Sequence, residues 1–227
     1  PAAQDKKSSH YYDLHHDRGD AWFRGHFPTE RARRRPDGRS AITGEASPYY
    51  LFHPSAPAWV ATDLPDARFV VMLRNPVDRA FSHHWDRVKN GIETLSFADA
   101  IEAEPVRLAG ERERLQRLPG AVSPAHEHFS YVARGEYAGQ LRTWFDVVDR
   151  DRILVIRSED FYEQPEKLYG ETLDFLGLAP FEAEAFGKLH GHADRPAVPA
   201  DVRARLDEHF APHNRALADL LGTEVWW

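Results

Sequence analysis

The chain has 227 residues, 42% hydrophobic and 12% aromatic, which suits one domain with a core large enough to need neither disulfides nor metal and excludes a disordered chain. With no cysteine there is no disulfide framework, thiolate metal centre or cysteine nucleophile. A formal charge of −7 argues against general binding to nucleic acid or anionic membranes, while leaving room for a local basic site.

The chain starts Pro1-Ala2-Ala3-Gln4-Asp5-Lys6-Lys7 without an initiator methionine or an apolar leader, and no apolar run approaches spanning length. With the absence of cysteine, this predicts a cytoplasmic location and a fragment or processed chain. Lys6 to Pro57 is irregular, aromatic and rich in His and Arg, with a short strand expected at Ala41–Ala46. Phe69–Leu73 is a continuous apolar run, read as a strand buried on both faces.

A helix is predicted to follow at once. Asn75 is a good N-cap, Pro76 fits the first helical position, and Asp78 stands where it would close a capping box. Val77, Ala80, Phe81, Trp85 and Val88 form its apolar stripe, and Gly91 its stop. A further helix is expected at Ser96–Glu104, whereas Gly110–His128 fits either a polar helix or a loop. Tyr137, Leu141, Trp144, Phe145 and Val148 mark another helix, Ile153–Ile156 a second buried strand, and Pro165–Leu176 a helix closed by Gly177. The last helical stretch, Ala200–Leu221, should break at Pro212. The alternation predicts a single α/β domain over residues 1–227, with a parallel sheet flanked by helices.

Arg74 to Ser82 carries the most chemistry. Arg74 leaves the carboxyl end of a strand, where ligands sit in open α/β sheets. The helix beside it should offer free N–H groups and the positive end of its dipole to a phosphate. Arg74 can bind such a group with two parallel hydrogen bonds, and Ser82 lies two turns along. The plain alternative is an ordinary cap and ion pair at Arg74 and Asp78, with Ser82 facing solvent.

The string Arg74-Asn75-Pro76-Val77-Asp78-Arg79-Ala80-Phe81-Ser82 resembles the 3′-phosphate motif of sulfotransferases that use 3′-phosphoadenosine 5′-phosphosulfate (PAPS), above all the branch that includes the heparan sulfate sulfotransferases and their bacterial relatives. Further likenesses follow in the same order along the chain. They are Lys6 to Asp13, Trp22 to Pro28, Gly44 to Tyr49, Arg134 to Trp144, Phe175 to Leu178, and Pro212 to Asn214 with the terminal Trp. The resemblance implies a P-loop-NTPase-like sulfotransferase fold, with Arg74 and Ser82 on the 3′-phosphate and Tyr137 on the cofactor side. Gly191 and His192, with Arg195 just after, stand where the family has a Lys-Gly-Arg loop that grips the nucleotide. The family opens with a strand, a Lys-x-Gly-Thr-Thr loop for the 5′-phosphosulfate, and a helix. None of these occurs in the 227 residues, so a truncated domain with little turnover of its own is expected.

An acceptor hydroxyl must lose its proton as it attacks, which calls for a base. Where relatives carry a Glu, this chain has Ser8. His10 is therefore the expected base or acceptor orienter, aided by Asp13, with Glu45 in reserve. Arg31, Arg33, Arg34, Arg35 and Arg39 could meet an acidic acceptor or simply be solvated. His15-His16, His83-His84 and His126-Glu127-His128 match no zinc spacing, so no metal is expected. The expected acceptor is a hydroxyl or amine on a carbohydrate or small molecule, not nucleic acid. Two rival readings are a non-catalytic remnant that binds a sugar or the desulfated nucleotide (PAP), and a nucleotide kinase or NTPase, although no Walker-type loop supports the latter.

Overall fold

The computed structural model describes residues 8–33, 41–183, 186 and 196–227. Among these, two parallel strands form the sheet, β1 (Phe69–Leu73) and β2 (Ile153–Arg157), paired from Phe69↔Ile153 to Leu73↔Arg157. Parallel pairing was expected from the two apolar runs; burial on both faces was not found. Leu73 is buried, but Val70 and Met72 on the alternate face are 40% and 47% exposed. Phe69 and Val71 pack toward Val60, Trp144 and Ile153, and Leu73 toward Tyr137, Leu141 and Leu217, so only one side of β1 reaches the core.

The helices are α1 (Tyr11–Leu14), α2 (Asp20–Arg24), α3 (Glu30–Arg33), α4 (Ala56–Asp63), α5 (Pro76–Lys89), α6 (Phe97–Leu108), α7 (Glu111–Arg117), α8 (Pro124–His128), α9 (Tyr137–Phe145), α10 (Ser158–Glu163), α11 (Pro165–Phe175) and α12 (Ala200–Leu221). The ambiguous stretch Gly110–His128 resolves into α7 and α8 with a turn between. The strand expected at Ala41–Ala46 does not form. Instead, the Glu45 carboxylate takes the N–H of Ser9 at 2.9 Å, tying this segment to the chain near α1.

α5 starts at Asn75, whose side-chain oxygen accepts the N–H groups of Val77 and Asp78 at 3.0 and 3.2 Å. The capping box is not closed. The Asn75 N–H goes to Glu159 at 2.9 Å, and Asp78 pairs with Arg203 of α12. Two segments from the second half of the chain, α10 and α12, thus converge on this cap.

α12 runs through Pro212 without stopping. Proline removes one N–H bond and crowds the preceding turn. Here, however, Val202, Leu206, Phe210, Leu217 and Ala218 are buried along one stripe, while Pro212 is exposed on the other side. Burying a side chain of this kind contributes about 1.5–3 kcal/mol, so the stripe together outweighs a proline penalty of about 3 kcal/mol. No described helix is long and apolar enough to cross a membrane.

Candidate active site

The segment before α1 is shaped by aromatic packing. Tyr11 and Tyr12 are almost fully buried, stacked or edge-on to Phe23 and Tyr50. The Tyr11 N–H donates to the Tyr50 hydroxyl at 2.8 Å. His10 adopts φ 51°, a left-handed conformation that is costly for a residue with a Cβ. Its carbonyl receives the N–H groups of Leu14 and His15, both at 3.0 Å, so the short helix holds the strained turn in place.

That turn aims the His10 ring at Asp13. Nδ1 lies 3.0 Å from Oδ2 and 3.2 Å from Oδ1, and the Asp13 side chain is wholly buried while that of His10 is one-third exposed. A buried carboxylate accepts the Nδ1 proton and leaves Nε2 as the acceptor nitrogen of the ring. The hydrogen bond to Asp13 raises the His10 pKa above its ordinary value. Burial opposes this, and the charges of Asp13, Glu127 and Glu45 reinforce it.

Glu45 joins the same cluster. Its Oε2 also accepts from the Ser47 hydroxyl at 3.3 Å, and its Oε1 is buried without a partner among the described residues. Ser8 hydrogen-bonds the Ser47 hydroxyl and accepts the His10 N–H at 3.2 Å. The three residues expected to do acid–base work are therefore brought together, and Ser8 acts as part of their frame.

At the end of β1, Arg74 and Ser82 are both half-buried, and neither side chain has a hydrogen-bond or carboxylate partner among the described residues. One expectation needs correcting. The first-turn amides of α5 are not free for a ligand: Asn75 takes two, Pro76 has none, and the Arg79 N–H bonds the Asn75 carbonyl at 2.9 Å. The groups left at this end that could meet an anion are the Arg74 guanidinium, the Ser82 hydroxyl and the helix dipole.

Tyr137 is buried, and its hydroxyl donates to the Arg74 carbonyl at 2.8 Å. Burial pushes its pKa up to about 12. Its hydroxyl is thus engaged by the Arg74 backbone. Gly191 and His192, with Arg195, lie outside the described residues, as do Arg34, Arg35 and Arg39. Arg31 is exposed.

Two arginines that were not singled out from the sequence, Arg134 and Arg79, lie near enough for their charges to repel. Arg134 of the turn before α9 stacks over Tyr49 at 4.5 Å, and its guanidinium donates to Ser130 Oγ at 2.9 Å and the Glu127 carbonyl at 2.6 Å. Burial lowers its pKa to about 10, with Arg79 adding repulsion. Arg79 bonds the Tyr131 carbonyl, and its Nε is buried without a partner among the described residues. Burial pushes its pKa down, and the Arg74 charge adds to that. The Glu127 charge acts on both Arg134 and His10, and the Arg74 charge acts on Arg79. Arg79 sits in the Arg74–Ser82 string itself. Arg134, immediately before Gly135 and Glu136, was legible only as part of a likeness.

The histidine pairs considered for metal do not assemble. His16 stacks on Trp59, His84 bonds the Leu95 carbonyl, His126 faces the Tyr49 hydroxyl at 2.6 Å, and His128 Nδ1 accepts from Arg87. Burial lowers His53 to about 4 and His126 to about 3, which keeps both neutral.

With this geometry in view, the family can be stated. A sulfotransferase domain model matches residues 49–194, more than half of the chain, and the chain belongs to that family. The match contains Arg74, Ser82 and Tyr137 but starts after His10, Asp13 and Glu45. Longer comparisons extend further. The mouse heparan sulfate glucosamine 3-O-sulfotransferase 6 is 28% identical over 96% of this chain and 64% of its own length. The human heparan sulfate glucosamine 3-O-sulfotransferase 3B1 is 24% identical over 96% of this chain and 56% of its own. A crystal structure of a sulfotransferase from Alicyclobacillus acidocaldarius superimposes with a TM-score of 0.65 at 27% identity, covering 96% of this chain and 84% of that one. The chain spans less than two-thirds of the length of these curated relatives.

Proposed function

We propose that this domain serves transfer of a sulfuryl group from PAPS to a hydroxyl or amine on a carbohydrate. The observation that carries the reading is Arg74, a half-buried guanidinium at a parallel strand end, without a side-chain partner among the described residues, in a chain of net charge −7. Family membership and the names of the relatives support it. The residues present fit the nucleotide: Arg74 and Ser82 would hold the 3′-phosphate, and Tyr137 and the α5 cap fix where Arg74 points. When bound, PAPS supplies a sulfuryl group on an anhydride oxygen. His10 Nε2 takes the acceptor proton as the oxygen or nitrogen attacks sulfur, while Asp13 holds the ring and stabilises the imidazolium that forms. Arg134 and Arg79 keep the surroundings positive as negative charge moves toward the leaving nucleotide. The 227 residues hold no Lys-x-Gly-Thr-Thr loop to meet the bridging oxygen, so this stretch by itself is expected to turn over little.

Calorimetric titration with PAP, AMP and ATP tests the reading without needing turnover. PAP should bind best, because AMP lacks the 3′-phosphate. Arg74→Ala should weaken PAP about 10- to 100-fold, from the loss of a charge-assisted hydrogen bond worth about 1.5–3 kcal/mol. Equal binding of ATP and PAP, or unchanged PAP binding by the variant, would overturn it.

A further inference from the structure

α12 carries His209 and His213 one helical turn apart, on one face. Between them in sequence, Phe210 is wholly buried and presses on Gly135. A Cβ at that glycine would lie 2.7 Å from Phe210 Cε1 and Cζ and 2.9 Å from Pro76 Cβ. This close approach seats the next residue, Glu136, against the helix. Its Oε1 is 3.2 Å from His209 Nε2 and 3.7 Å from His213 Nε2, and the three atoms all lie within 4.8 Å of one another.

Those separations suit a metal. Three ligand atoms bound at about 2.0–2.1 Å around a tetrahedral zinc stand about 3.3–3.5 Å apart. Two of the separations are already close to this, and the third needs only a small turn of side chains that are partly exposed. Two imidazoles and a carboxylate oxygen form a donor set suited to zinc. A cleft of about 450 Å³, lined by Glu104, Glu136, Arg205, Leu206 and His209 among others, opens beside the cluster. It leaves space for water in a fourth position.

We propose that Glu136, His209 and His213 form a zinc site. The ion clips α12 to the turn that leads into α9, next to Tyr137, whose hydroxyl holds the Arg74 carbonyl. The site is independent of the reading of Arg74 and takes no part in sulfuryl transfer. The residues come from elements far apart in sequence, so metal binding here stabilises tertiary structure.

The experiment is calorimetric titration of chelator-treated protein with zinc sulfate, with thermal melts run alongside. One equivalent should bind at micromolar concentration or tighter, and the melting midpoint should rise in zinc. His209→Ala and His213→Ala should each weaken binding at least 10-fold and remove the thermal gain, and Glu136→Gln should weaken it less. Cobalt in place of zinc should give the intense visible absorption of a four-coordinate site, lost in His213→Ala. Circular dichroism of each variant in chelator checks that it folds as the parent does. Absence of binding at tens of micromolar zinc would overturn the proposal. So would binding unchanged in the double His variant, because the chain has 13 histidines and the ion would then sit on others. A pair of simple ion pairs at Glu136 predicts the first of these results.

Discussion

Gly135→Ala probes the contact on which three elements meet. The glycine is buried, and the added methyl would sit 2.7 Å from two carbons of the Phe210 ring and 2.9 Å from Pro76. Carbon atoms prefer about 3.5–4.0 Å, so the overlap is close to 1 Å on two sides. Phe210 is fully buried among Val77, Tyr131 and Leu206, and Pro76 starts α5, so neither neighbour has free space behind it. Overpacking of this kind costs about 1–3 kcal/mol. Alanine recovers about 0.4–1 kcal/mol by narrowing the unfolded ensemble. The net loss is about 1–2 kcal/mol, which for a domain of this size lowers the melting midpoint by about 2–8 °C. The control is Gly139→Ala, in the exposed face of α9, where a Cβ would meet nothing within 4 Å. That change should instead gain up to about 1 kcal/mol from helix propensity. Urea and thermal unfolding of both variants, in chelator, give the comparison. If Gly135→Ala melts at or above the parent midpoint, the close approach that seats Glu136 and the α5 cap is not as described.

Two further predictions concern titration and a buried charge. Because Asp13 holds the His10 pKa above its ordinary value, the stability this pair contributes is complete below about pH 6.5 and is lost as the pH rises through the raised pKa. In Asp13→Asn the His10 midpoint, followed by ring-proton resonances, should move down; an unchanged midpoint would remove Asp13 as its partner. Glu93 is buried, paired with Arg107 at 2.5 Å, and accepts from Tyr131 and from the N–H groups of Thr94 and Leu95. Burial pushes its pKa up, but these partners outweigh burial and hold it at about 2. Its stabilising effect is therefore complete above about pH 4.3 and falls away as the pH drops toward 2. Glu93→Ala should cost about 3–5 kcal/mol by leaving these partners unsatisfied; a urea midpoint within error of the parent would refute that role.

Local chemistry made much of this protein legible in advance. The two apolar runs give the two strands, Asn75-Pro76 starts α5 where expected, and Gly177 follows α11. The Arg74–Ser82 string marked one end of the candidate site, and the chain around His10 the other, through residue types and spacings set within a few positions of each other. The sequence analysis did not single out the i, i+4 pair His209 and His213, nor its partner Glu136. The failures share a cause. Whether β1 is covered on both faces, whether α12 survives Pro212, and whether Asp78 caps its own helix or pairs with Arg203 all depend on what packs opposite.

Sequence alone determined the two strands, the start of α5 and which side chains carry acid, base or cationic character, because propensity, capping and ionisation act over one or two turns of chain. Tertiary structure alone decided which of those groups meet. The Asn75 N–H meets Glu159 and Asp78 meets Arg203, His10 and Asp13 share a cluster with Glu45, and Glu136 is set against α12 because no Cβ stands at residue 135. Such pairings bring together residues tens of positions apart, and their energy comes from burial and close contact that no local pattern encodes.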